Sequence, residues 1–324
     1  MRQQLHINIP HHYIHTTNMH VIIDTDPGQD DAVAILLAMQ LEDIDILGIT
    51  CVAGNVDIDK TTLNARKICE LAGRGGTKVF RGCRKPIVRD GVSAAEIHGA
   101  CGMEGAELPD PTECPEQSIH AVQWMYETLK ESTEPVTLCC LAPLTNVATL
   151  LHMYDISHKI ERIVMMGGCY FERGNVTPSA EFNVYTDPEA FSCVLRSGIP
   201  TTILPLDVTH RALMSEEWLE ELGRKGTNIS QTVHRMLTSY GRRSMNENDL
   251  IGGPIHDPMV IAYLHSPEMF SGKEVHVAVE TQSELSLGNC IVDWHGNHEK
   301  PPNATWINRV DSDAFFGMLL EHLV

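Results

Sequence analysis

The 324-residue chain has no uninterrupted apolar run approaching the ~20 residues that span a bilayer. Its first twenty residues lack the hydrophobic segment of a signal peptide, so a soluble, cytoplasmic protein is expected. None of its ten cysteines falls in a CxxC or a paired zinc spacing. A chain of this size does not need disulfide staples, and reduced, mostly buried thiols follow. Basic residues are scarce, 24 Lys and Arg against 43 Asp and Glu, which gives a formal net charge of −19. That balance argues against nucleic-acid and anionic-membrane partners, both of which require clustered cations. There is no internal repeat and no low-complexity linker. With 43% hydrophobic and 21% charged residues the composition is that of a globular protein, and the length suits one large α/β domain or two smaller ones.

Residues 1–19 show no periodicity and hold four of the 17 histidines. They read as a disordered extension more than as a metal-binding tail, ahead of a domain spanning 20–324. From residue 20 onward, short β-branched runs (20–24, 45–52, 78–81, 136–141, 162–166, 201–206) alternate with stretches of helical period (31–40, 60–71, 117–131, 189–196). Nearly all-apolar strands alternating with helices predict a single Rossmann-like α/β domain, its central sheet mainly parallel and flanked by helices. A hydrophilic helical insertion (215–222, 229–240) precedes a helix at 258–264. Strands at 274–280 and 305–310 and a helix at 312–323 close the chain. In such sheets ligands bind beyond the carboxyl ends of the strands.

At the end of the first strand, Asp24, Asp26, Asp30 and Asp31 place four carboxylates within eight residues. Helix capping accounts for Asp30 and Asp31 but leaves Asp24 and Asp26 unexplained. A cation that neutralises the group explains all four, and an all-oxygen set favours Ca²⁺ or Mg²⁺. The loop is not an EF-hand, because Gln29 and Ile35 stand where that loop needs Gly and Glu. Polar groups end other apolar runs at Gly54-Asn55, Glu181-Phe182-Asn183 and His256-Asp257-Pro258. If extended, Glu181 and Asn183 share one side. Asp187-Pro188 reads as a plain helix cap, whereas the histidine beside Asp257 points to a site.

In order along the chain, DTDPGQDDA (24–32), AGN (53–55), IHG (97–99), APLTN (142–146), MGG (166–168), GNVTPSAEFNVYTDPEA (174–190), LDVTH (206–210), HDP (256–258) and KPPNAT (300–305) resemble the inosine–uridine-preferring nucleoside hydrolases. The resemblance runs from His20 to near Val324. It implies a Ca²⁺ held by the side chains of Asp26, Asp31 and Asp257 and by a main-chain carbonyl, here that of Leu141 where the family usually has threonine. It further implies that Asp30, Asn55 and Asn183 hold the ribose 2′- and 3′-hydroxyls, and Asn175 with Glu181 the 5′-hydroxyl. Met166 and Phe182 join the substrate contacts, and His98 and Tyr240 meet the base. Asp26 becomes the general base for the attacking water, His256 the acid at the leaving base, and Asp24 a structural residue. Purine-handling members carry more than one tyrosine near Tyr240, where this chain has Ser244 one turn later, so a pyrimidine-leaning or broad specificity is expected. Family members are commonly homodimers or homotetramers that salvage nucleobases.

These residue types suit the chemistry independently. Cleaving an N-glycosidic bond builds positive charge on the ribose, which an acidic pocket stabilises. Ca²⁺ acidifies water far less than zinc does, so a dedicated base is needed. Nucleobases leave poorly as anions, and histidine is the natural proton donor near neutral pH. Taken alone, a single histidine is more often a packing residue, and His210 keeps that reading. One rival is a haloacid-dehalogenase-like phosphatase with Asp24 as nucleophile and Mg²⁺ bound. It shares the Asp-x-Asp after the first strand but gives no role to AEFN or HDP. A second rival is a calcium-dependent nucleoside-binding protein without turnover.

Overall fold

A computed structural model describes residues 18–248 and 253–324, the side chains of 242–248 excepted. The expected N-terminal extension thus lies outside the described residues but for its last two, and the side chain of Ser244 lies outside them as well. Eleven strands occur among the described residues: β1 (Met19–Thr25), β2 (Ile44–Cys51), β3 (Val79–Arg81), β4 (Glu116–Gln117), β5 (Val136–Cys140), β6 (Ile160–Met166), β7 (Thr201–Leu204), β8 (Phe270–Val275), β9 (Val277–Val279), β10 (Cys290–Val292) and β11 (Ala304–Val310). Nine form one sheet in the order β4-β3-β2-β1-β5-β6-β7-β11-β8, while β9 and β10 pair separately. All pairings of the large sheet are parallel except β11 with the edge strand β8.

Alternation along β1 shows why the sheet is covered on both sides. Val21 and Ile23 enter one apolar cluster with the helices Gln29–Gln40 and Pro258–His265, whereas Ile22 enters another with Ala121–Glu131 and Pro188–Leu195. The helix Gln29–Gln40 is apolar on nearly all sides (AVAILLAM) and is buried at every position but Gln40, as such a helix must be. It therefore begins deep in the molecule, and its N-terminus meets the end of β1.

The chain winds outward from β1 to β4 on one side and from β5 to β7 on the other, so the strand order reverses between β1 and β5. A crevice opens there, at the carboxyl ends of the strands. The turn after β1, Gly54-Asn55 after β2, Leu141 after β5 and Met166 at the end of β6 all reach it.

Several sequence expectations need correction. The single strand expected at 274–280 is two strands in different sheets, parted at His276. The helix expected from 117 begins at Ala121, because Glu116–Gln117 pairs with β3. The insertion contains helices Glu216–Arg224 and Asn228–Asn248, the second running eight residues beyond the expected end at Tyr240. All ten cysteines are free thiols, and only Cys101 is fully exposed.

Candidate active site

Directly after β1, Asp26 and Asp31 anchor a tight turn. Asp31 Oδ1 accepts from Thr25 Oγ1 at 2.5 Å and from the Asp26 N–H at 3.3 Å; its Oδ2 accepts from the Gly28 N–H at 2.9 Å and from Asn55 Nδ2 at 3.1 Å. An acid at the third helical position reaching back to the cap N–H fixes the start of the helix. Asp26 Oδ2 accepts the Asn55 N–H at 2.6 Å. A Cβ at Gly54 would overlap that carboxylate, so glycine is what lets the second strand end approach the first.

Asp24 lies beneath. It is 1% exposed, and its Oδ1 accepts from Thr50 Oγ1 at 2.6 Å and Asn146 Nδ2 at 2.7 Å. A carboxylate so enclosed ties the ends of β1 and β2 to the start of the helix Thr145–Met153 and has no opening through which to attack a phosphoryl group.

Above this floor is a cavity of about 240 Å³. It brings together twelve of the residues singled out in the sequence: Asp30, Asn55, His98, Leu141, Met166, Asn175, Glu181, Phe182, Asn183, Tyr240, His256 and Asp257. Asp24, Asp26 and Asp31 are not in its lining. Ser93, Ala94, Glu96, Ile97 and Val176 line it without having been singled out; the IHG and GNV motifs adjoin them and were the available signal.

Oxygens of Asp30, Asp31 and Asp257 lie within 4.8 Å of one another. Asp26 is outside that trio, but its Oδ1 is buried and has no hydrogen-bond partner. Asp257 precedes the helix Pro258–His265 yet makes no capping hydrogen bond with its side chain, so its carboxylate is free to turn to the floor. The Leu141 carbonyl accepts from Asn183 Nδ2 at 2.9 Å and retains a second lone pair. Among the described residues, no Lys or Arg lines the cavity. Burial first, then repulsion from Asp31, drives Asp26 well above the usual carboxylate range. Burial, then Asp30 and Asp31, does the same to Asp257. Burial and Asp31 lift Asp30 to about 7, and burial raises Asp31 against four hydrogen bonds. A hard divalent cation removes this penalty and supplies the orphaned Asp26 oxygen with a partner, so the donor set fits one.

Glu181 corrects another expectation. The AEFN segment is not extended: Glu181 caps a short helix, Phe182–Thr186, accepting from Asn183 N–H at 2.8 Å and Val184 N–H at 3.1 Å, and from Gly168 N–H at 2.8 Å. Helical geometry still delivers Glu181 and Asn183 to one cavity. Asn175 Oδ1 accepts the Phe182 N–H at 2.9 Å. Asp187 caps the next helix through Ala190 N–H, as expected, and also takes Thr145 Oγ1 and Ile87 N–H.

Aromatic rings share the cavity with the acids. His98 and Tyr240 stack with centroids 5.6 Å apart and planes 28° apart. His256 Nδ1 is 2.8 Å from Thr209 Oγ1, and its ring lies 5.8 Å from that of His210. Burial, then His210 and His98, holds His256 well below the ordinary histidine value. That environment disfavours the imidazolium form. Thr209 and His210 were left out of the sequence reading of the site; LDVTH was the segment that contained them.

Comparison with known proteins agrees with this arrangement. Residues 21–317 match the family model described as inosine-uridine preferring nucleoside hydrolase, and the chain belongs to that family. A protein of Schizosaccharomyces pombe is 42% identical over 308 residues, 94% of this chain and 99% of that one. Pyrimidine-specific ribonucleoside hydrolase RihA of Shewanella baltica is 42% identical over 306 residues, 94% of this chain and 96% of that one. Among solved structures, a purine-preferring ribonucleoside hydrolase from Gardnerella vaginalis superposes with a TM-score of 0.87 at 26% identity, covering 94% of this chain and 98% of that one.

Proposed function

We propose that this protein hydrolyses the N-glycosidic bond of ribonucleosides to ribose and free base, with pyrimidine nucleosides preferred, using Ca²⁺ held by Asp26, Asp31, Asp257 and the Leu141 carbonyl. The observation that carries the reading is the acidic floor with its unpartnered Asp26 oxygen, set under a cavity whose other wall is histidine and tyrosine. The cation, when bound, positions the ribose diol and the attacking water. Asp26 takes the proton of that water. Asp30, Asn55 and Asn183 hold the 2′- and 3′-hydroxyls, Asn175 and Glu181 the 5′-hydroxyl, with Met166 and Phe182 against the sugar. The negative walls favour the cationic ribosyl transition state. His256 donates a hydrogen bond to the leaving base as negative charge grows on it, and His98 and Tyr240 contact that base.

Two features support a pyrimidine preference: a single tyrosine, Tyr240, among the described residues of the lining, and the greater similarity to relatives named pyrimidine-specific (42% identity) than to the purine-preferring structure (26%). We assign the chain to the cytoplasm and to a homodimer or homotetramer on the family resemblance. No helix among the described residues is long and apolar enough to cross a membrane.

Incubating Ca²⁺-loaded protein with uridine, cytidine, inosine and uridine 5′-monophosphate, and assaying free ribose or ribose phosphate, tests the reading. Uridine should release ribose fastest. The monophosphate should be inert, because Glu181 is a buried acid where the phosphate would sit. Binding of all nucleosides without ribose release refutes the hydrolase, and equal rates on uridine and its monophosphate refute the Glu181 assignment.

A further inference from the structure

Gln29 has no part in the contacts assigned so far, although it sits in the middle of the DTDPGQDDA turn. Its side chain is fully buried, and its carboxamide serves three groups. Nε2 donates to the carbonyl oxygens of His98, at 3.1 Å, and Glu104, at 3.3 Å, while Oε1 lies 2.7 Å from His98 Nδ1. The two carbonyls can only accept, so they decide which way the amide faces: NH₂ toward them, oxygen toward the ring. An amide oxygen can only accept in turn, so His98 Nδ1 must carry hydrogen. A neutral imidazole has one N–H, which makes Nε2 an acceptor. The ring cannot easily swivel out of this bond. One face stacks on Tyr240, and the Nδ1–Cε1 edge lies so close to Gly28 that a Cβ there would overlap it.

We propose that Gln29 is a positioning residue that locks His98 in the Nδ1–H tautomer, so that the base pocket recognises an N–H donor on the leaving base through the His98 Nε2 lone pair. This rests on the reading above, in which His98 meets the base. The consequence is an unequal pair of histidines: His98 accepts from the base and His256 donates to it. Uracil, whose N3–H is the single donor of the base in uridine, suits that pair, whereas a p-nitrophenyl leaving group offers no N–H at all.

The direct test is a two-bond ¹H–¹⁵N correlation on the wild-type, ¹⁵N-histidine-labelled protein at pH 7.5, with the His98 signals identified by their loss in His98→Ala. A protonated Nδ1 with a bare Nε2 is expected. Hydrogen on Nε2, or on both nitrogens, overturns the proposal, and this measurement requires neither turnover nor a folded Gln29 variant. For function, Gln29→Leu should lower kcat/KM on uridine by about tenfold, the scale of one neutral hydrogen bond. On p-nitrophenyl riboside it should change little, and in a His98→Ala background it should add nothing. Equal losses on the two substrates, or a further loss beyond His98→Ala, also overturn it. If wild-type protein releases no ribose from any nucleoside, the hydrolase reading fails while the spectrum still decides the tautomer.

Discussion

The two walls of the cavity are built differently. The acidic wall, with Asp30 and Asp257 in the lining, rests on a floor at the strand ends, where Asp26 and Asp31 are gripped by main-chain N–H groups, Thr25 and Asn55 within a turn that the sheet and the buried helix Gln29–Gln40 position from both sides. The aromatic wall hangs on helical segments. His98 ends a four-residue helix, Ala95–His98, and Tyr240 rides on the inserted helix Asn228–Asn248. Chemistry common to every substrate belongs on the rigid wall, and discrimination among bases belongs on the one that loops and insertions can remodel. Substrates that differ only in the leaving group separate the two walls, because acidic-wall losses should be independent of that group and aromatic-wall losses should not.

The largest effect is expected from Asp26. Asp26→Ala should lower kcat by at least the 10²–10⁴-fold, roughly, that a positioned proton acceptor contributes, and equally for uridine and p-nitrophenyl riboside. A loss confined to uridine would move Asp26 to the other wall. Stability should respond in the opposite sense. Asp26 is raised well above its unfolded value by burial, and Asp24 and Asp30 are raised to about 6 and about 7 by the same cause. Stability from such groups is full below the unfolded carboxylate range and is lost as pH rises through the folded values. Metal-free protein should therefore melt lower at pH 8 than at pH 5, Asp26→Asn should narrow that gap, and Ca²⁺ should stabilise the wild type more than the variant. Thermal melts with chelator and with Ca²⁺ check all three statements.

His256 comes next. His256→Ala should cost about a hundredfold on uridine and only a few-fold on p-nitrophenyl riboside, whose leaving group departs as a stable anion. Equal losses would show that the ring, 2.8 Å from Thr209, organises the pocket without assisting the leaving base.

The same contrast explains what was legible in the sequence. β1, β2, β5 and β6 are short, largely apolar runs, and the acids that end β1 were visible because carboxylates at a buried strand end demand a reason. Two-residue β4 carries no period of its own and pairs with β3 only because the fold brings it there. The break at His276 was hidden, since one strand and two collinear strands give the same alternation. Glu181 is named through the resemblance, and the condition that its segment be extended is not met. Its role as a cap is hard to read locally, because glutamate is not among the preferred capping residues and a five-residue helix shows no period. Thr209 and Gln29 act through other side chains over 47 and 69 residues of separation, and no local pattern records such pairings.

The smallest effect is expected at Tyr240, and it bears most directly on the aromatic wall. The ring is 3% exposed and stacks on His98, so a base lying against it would be held by dispersion and ring electrostatics and not by a charge. Stacking of that kind contributes about 0.5–1.5 kcal/mol beyond area burial, which is about two- to tenfold in affinity. Tyr240→Leu should therefore raise KM for uridine by that factor and leave kcat nearly unchanged, since the role proposed for the ring is to hold the base and not to move a proton. Tyr240→Phe should retain most of the affinity if stacking is the whole contribution. If Tyr240→Leu instead lowers kcat and spares KM, the ring acts by holding His98 in place, and the two aromatic residues form one unit. A double-mutant cycle with His98→Ala then separates the cases: additive losses assign Tyr240 to the base, and non-additive losses assign it to the histidine.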